Sequence, residues 1–105
     1  MIRRKFRILN VGEIRRGHSE RTNQDWQAQE VVLEELTDET PYPESFTTSL
    51  QGNDVKLDLR AGDRIECSSF MRVRQYNDHF YNEVRVRNVT HLMRHEEARP
   101  FGYPD

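Results

Sequence analysis

The sequence predicts an all-β domain of five strands, with one short helix between the third and the fourth. Three observations carry that prediction. Apolar and polar residues alternate over much of the chain, which is the period of strands with one buried face. Clusters of Gly, Pro, Asn and Asp separate the alternating runs, as turns require. The longest run, Gly62–Val89, reads as two long strands joined at Asn77-Asp78. With 105 residues the chain is one domain with a small core.

Arg4 to Ile14 is the first strand. Phe6 and Ile8 alternate, then Leu9 and Val11 break the phase, as a bulge near Gly12 does. Residues 15–25 contain no apolar residue and read as a polar loop. Trp26 to Leu36 is the second strand, centred on Val31, Val32 and Leu33. Thr37 to Glu44 is an acidic loop interrupted by Pro41 and Pro43. Phe46, Thr48 and Leu50 alternate in the third strand, which Gly52 ends. Asn53 or Asp54 caps a short helical turn through Val55, Leu57 and Leu59. Ala61-Gly62-Asp63 turns the chain into the hairpin that supplies strands four and five. Thr90 to Arg94 extends the last strand or begins a short helix. Residues 1–93 form the domain and 94–105 a loosely held C-terminal tail. This order of elements is the plan of a five-stranded OB-fold barrel; an SH3-like barrel is the nearest rival and has shorter strands.

A two-residue loop at Asn77-Asp78 places Tyr76 opposite His79, Arg74 opposite Tyr81, Arg72 opposite Glu83 and Phe70 opposite Arg85. One face of the hairpin then carries Phe70, Arg72, Arg74, Tyr76, Tyr81, Arg85 and Arg87. The other carries Ile65, Cys67, Ser69, Met71, Val73, Phe80, Val84 and Val86, a usable core face. Arginines interleaved with aromatics suit single-stranded nucleic acid, since guanidinium groups meet phosphates and rings stack on bases. The same face also reads as a solvated outer surface, with Arg74–Tyr81 and Phe70–Arg85 as cation–π contacts and Arg72–Glu83 as a salt bridge.

The net charge of −2 conceals a segregation. Residues 1–21 hold seven cations and two Glu, whereas Thr22 to Val55 holds eight acids and no cation. The acidic second strand opposes phosphate binding unless it lies away from a groove flanked by Arg15, Arg16 and Arg21. Alternatively it meets the Arg-rich hairpin of a neighbouring subunit, which makes an oligomer. Trp26 opens the second strand beside Arg21, either as a stacking ring or as a cap on the core.

The spacing of Trp26, Gln29, Val31-Val32-Leu33-Glu34, Tyr42-Pro43, Phe46, Leu50-Gln51-Gly52, Val55, Gly62-Asp63, Arg74-Gln75-Tyr76-Asn77 and Phe80-Tyr81 resembles a small bacterial family. That family is catalogued as a domain of unknown function and is common in Bacteroidetes. The resemblance covers about Phe6 to Val89. It implies a single OB fold similar to single-stranded-DNA-binding and primosomal proteins. Asn77-Asp78 stands where the family usually has Asn-Gly, which implies a strained or longer turn.

No Gly-rich phosphate loop or hydrolase signature is present, so catalysis and a cofactor are not expected. His91 and His95 have helical i, i+4 spacing, but without HExxH or a third ligand they do not make a metal site. The single Cys67 points inward and fits a reducing cytoplasm, and no run is long enough to span a membrane. The expected function is non-enzymatic binding of single-stranded nucleic acid, DNA ahead of RNA, with little sequence preference. Arg72, Arg74, Arg85, Arg87 and Arg21 would meet phosphates, and Phe70, Tyr76, Tyr81 and Trp26 would stack on bases. The alternative is a protein-interaction or oligomerisation barrel, and a homodimer fits either reading. The tail's Pro100-Phe101 faintly resembles the partner-recruiting peptide of single-strand-binding proteins.

Overall fold

The computed structural model describes residues 2–95. Five strands form one antiparallel sheet: β1 (Arg3–Ser19), β2 (Gln24–Glu35), β3 (Ser45–Gln51), β4 (Arg64–Tyr76) and β5 (His79–Met93). A 3₁₀ helix, Gly52–Leu57, lies between β3 and β4 where the sequence places a helical turn. Neither Asn53 nor Asp54 caps it; Gln51 occupies that position without a side-chain hydrogen bond. The strand order is β3-β2-β1-β4-β5.

The sheet coils but is not closed as a barrel. Its edge strands, β3 and β5, share no backbone ladder, and the Thr48 hydroxyl donates across the gap to the Val84 carbonyl at 2.8 Å. The expected bulge in β1 is present, with register shifts between Ile8 and Asn10 and between Val11 and Ile14. These shifts let one strand serve two partners. Arg3–Arg7 pair with β4, and the remainder, out to Ser19, pairs with β2 alone.

Phe6, Ile8, Val31, Leu33, Leu50, Val55, Leu59, Ile65 and Cys67 form the core. Phe6 meets Phe46 edge-on with ring centroids 5.4 Å apart. Burial pushes the Cys67 thiol up to about 11, which makes it a poor nucleophile.

Asp63, fully buried between Gly62 and β4, ties the end of β5 to this core. Its carboxylate accepts from the Arg60 N–H at 3.0 Å, the Arg94 guanidinium at 3.0 Å and the His95 N–H at 2.8 Å. His91 Nε2 lies 3.2 Å from Asp63 Oδ2, out of line for a hydrogen bond. His91 is thus in a strand beside a carboxylate and not on a helix face with His95. Gly62 has φ +91°, and a Cβ there would lie 2.5 Å from the His95 ring, so close approach and backbone both select glycine.

The fifth strand runs on to Met93, the first of the two readings for residues 90–94. Two expectations change. Residues 15–25 are not a loop: β1 and β2 pair to Ser19↔Gln24, leaving residues 20–23 as the turn of a projecting arm. The second change concerns the expected core face of the β4–β5 hairpin. Ile65 and Cys67 are buried and Ser69, Val84 and Val86 are half-buried, but Met71, Val73 and Phe80 are 66%, 64% and 70% exposed. Among the described residues nothing covers them, because β3 is seven residues long and meets β5 near Val84; Met71 alone of the three borders a cleft with β3, at Phe46. The hairpin outruns the sheet and stands in solvent on both sides. The tail beyond residue 95, with Pro100 and Phe101, lies outside the described residues.

Candidate nucleic-acid interface

The hairpin register is the expected one: Tyr76↔His79, Arg74↔Tyr81, Arg72↔Glu83 and Phe70↔Arg85. The turn keeps two residues, with Asn77 at φ 48° and Asp78 at φ 63°, both in the left-handed region that such a loop demands. The side chains this register aligns do not all share one site, because the hairpin coils.

Two adjoining concavities run between the arms. The larger, about 1420 Å³, lies between the β1–β2 arm, the outer side of β3 and the β4–β5 hairpin. Five cations line it, Arg15, Arg16, Lys56, Arg74 and Arg85, against the carboxylates of Asp25 and Glu83. Both carboxylates have local partners: Asp25 meets His18 Nδ1 at 2.8 Å and Glu83 meets Arg85 at 3.0 Å. Arg85 also donates to the Gln51 side chain at 3.2 Å, which holds it against β3. Arg15, Arg16, Lys56 and Arg74 have no ion-pair partner among the described residues. The smaller concavity, about 590 Å³, shares Arg74, Glu83 and Ser49 with the first and adds Tyr76 and Tyr81.

Trp26 lies in the wall of the larger groove, 47% exposed. Its indole lies over Gly17, the residue opposite it in the arm; a Cβ at Gly17 would come within 2.5 Å of the ring. The ring is therefore seated on backbone with one side left to the groove, and it does not cap the core. Trp26, Arg74, Tyr76, Tyr81 and Arg85 are thus brought together. Arg72 and Arg21 line neither concavity. Arg87 stands over the Phe70 ring at 4.4 Å, so these two serve each other outside the groove. Arg87–Phe70 and Arg85–Glu83 replace the cation–π and salt-bridge pairs expected across the strands. Lys56 was not foreseen; it reaches the groove from the 3₁₀ helix, where no strand alternation marks it.

The charge segregation has an intramolecular explanation. Antiparallel pairing places Arg7 opposite Glu34, and these side chains pair. Arg4 pairs with Glu35 and also with Glu44 at 3.1 Å. Burial acts to lower the Arg4 pKa, but Glu44 and Glu35 outweigh it and hold the group above its ordinary value. Arg3 pairs with Glu66 at 3.0 Å. The basic first strand thus neutralises acids of β2, its loop and β4, while four cations without an ion pair among the described residues, Arg15, Arg16, Lys56 and Arg74, line the groove and Lys5, Arg21, Arg64, Arg72 and Arg87 lie outside it.

These features define a small antiparallel β-sheet domain with a cationic, aromatic-walled groove between two projecting hairpins. A family model for a domain of unknown function, DUF3127, matches residues 6–90, and the chain belongs to that family. No curated protein and no solved structure matches it. Among the described residues no helix is long and apolar enough to cross a membrane, and no cluster of three His, Cys, Asp or Glu is placed to hold a metal.

Proposed function

We propose that this chain is a non-enzymatic OB-type module that binds single-stranded nucleic acid, DNA ahead of RNA, along the groove between its two arms. The observation that carries the reading is the convergence of Trp26, Tyr76 and Tyr81 with four unpaired cations on one track. The strand order supports the OB assignment, with β1 paired to both β2 and β4 and with β3 and β5 at facing edges. In that fold the outer side of strands two and three, between the first and last loops, is where oligonucleotides lie. Each ring that stacks on a base contributes about 1–3 kcal/mol with little regard to sequence. The acidic middle no longer argues for charge pairing between subunits, since β1 meets much of it within the chain.

Fluorescence anisotropy of a labelled oligothymidine of about 30 bases tests the reading. Four or five neutralised phosphates give a log–log salt slope of about −3. Arg74→Glu with Arg85→Glu is expected to abolish binding without loss of fold. No binding at low salt, or unchanged affinity in the double variant, would overturn the assignment.

A further inference from the structure

The exposed side of the β4–β5 hairpin carries a self-complementary pattern. Val73 pairs with Asn82 at its middle. Two pairs toward the tip is Phe80, opposite Gln75. Two pairs toward the body is Met71, opposite Val84, and there a cleft of about 340 Å³ opens between the hairpin and the start of β3, with Phe46, Phe70, Met71 and Val84 as its apolar lining and Arg4, Glu44, Ser45 and Ser69 as its polar lining. A bulky ring and a cleft with an apolar wall thus sit at equal and opposite distances from Val73 along the hairpin.

We infer that this face is the interface of a two-fold dimer, a second copy of this chain laying its hairpin antiparallel across the first with Val73 on the dyad. In that register Phe80 of each copy enters the Phe46–Met71–Val84 cleft of the other. The contact is isologous and closes at two copies. The turn at Asp78 then reaches the Ser69↔Val86 level of the partner, beside the Arg4 guanidinium, which donates to Ser69 Oγ at 2.7 Å and is already paired with Glu35 and Glu44, so the contact rests on its apolar side chains and not on charge. Met71, Val73 and Phe80 expose about 400 Å² per copy, an apolar patch as large as monomers ordinarily tolerate. With Gln75, Asn82 and the cleft walls, the paired area reaches the about 1,000 Å² at which specific interfaces begin. Met71, Val73 and Phe80 line neither concavity of the groove, whereas Phe46, Asn82 and Val84 also border the smaller one, so the dimer is tested through Val73 and Phe80.

Sedimentation equilibrium from about 1 µM to about 500 µM reads the dimer directly. The wild type is expected to associate with a concentration-dependent mass. Val73→Arg, which sets two like charges on the dyad, and Phe80→Lys are each expected to raise the dissociation constant about 100-fold or more. Both positions stand in solvent, so each variant should stay folded and keep the melting midpoint that the wild type shows when diluted to monomer. A single thiol at the dyad bonds to its own copy: Val73→Cys should give a covalent dimer on mild oxidation, and Arg72→Cys, on the opposite face, should not. A wild type that stays monomeric throughout would overturn the inference. So would a dimer indifferent to both substitutions, or crosslinking at position 72 as fast as at 73.

Discussion

Replacing Asp63 with Ala should cost this small domain much of its stability. The carboxylate is fully buried and serves two backbone N–H groups, of Arg60 and His95, and the Arg94 guanidinium. Alanine leaves the two N–H groups without that acceptor, at about 1–3 kcal/mol each. It also removes the carboxylate that faces Arg94, and breaking one side of a buried ion pair costs about 3–5 kcal/mol when the remaining charge is fully enclosed. Arg94 also donates to the Asp58 carbonyl and is partly exposed, which moderates that part. A net loss of about 3–5 kcal/mol follows, against a typical total of about 5–15 kcal/mol. At about 4–8 °C per kcal/mol the melting midpoint falls by about 12–40 °C. Asp63→Asn keeps an amide oxygen for one N–H and loses the charge, so it should fall between the two. Urea unfolding followed by circular dichroism measures all three proteins. A loss below about 1 kcal/mol for Asp63→Ala would refute the reasoning, because it would mean that the end of β5 is held by something other than this carboxylate.

Cys67 should react with a thiol reagent at pH 8 about 100-fold more slowly than an exposed cysteine, and at the ordinary rate in denaturant; fast labelling of the folded protein would contradict its burial. Gly17→Ala should push the Trp26 indole off the arm, which shifts its fluorescence and weakens oligonucleotide binding by about tenfold, with a stability change under about 1 kcal/mol because the arm is exposed. Asp78→Gly relieves a left-handed Asp at the tip, and the gain of about 0.5 kcal/mol should appear as slower amide exchange in residues 72–83 and a melting midpoint higher by about 2–4 °C.

Where one side of a strand faces the core, the sequence displayed it. Phe6, Leu50 and Ile65 sit between polar neighbours, Ile8, Val31 and Leu33 keep the same spacing of two beside Leu9 and Val32, and all six are buried. The hairpin register was equally legible, since a two-residue turn fixes every cross-strand pair. The arms were not. Residues 15–19 form a ladder with water on both sides, and a strand that buries neither face carries no period-two signal. Met71, Val73 and Phe80 carry the signal without the burial, because alternation records which side a residue takes and not whether anything faces that side. For the site, alternation assigned Phe70, Arg72 and Arg87 to the same face as Arg74 and Tyr81. In a coiled ribbon that face turns away from β3 within a few residues, and the three fall outside the groove. Arg15 and Arg16 were placed beside the groove by charge, and Trp26 was found through the polar run it terminates. Lys56 gave no such sign.

The Thr48 hydroxyl on the Val84 carbonyl has a mechanical consequence. A ladder across that gap would give the sheet a fixed bore, because several hydrogen bonds would have to break together before it widened. Two side-chain bonds, Thr48 to Val84 and Arg85 to Gln51, make the gap a latch. With it open, β3 and the β4–β5 hairpin become opposed jaws hinged through β2, β1 and β4, and the space between Ser49 and Arg74 takes its width from whatever fills it. Thr48→Val keeps the one methyl group, puts a second in place of the hydroxyl and removes the bond to Val84, leaving only Arg85 to Gln51 across the gap. Its effect should therefore show in microsecond-to-millisecond exchange broadening at Thr47, Ser49 and residues 82–85, with the nine-residue core left at rest.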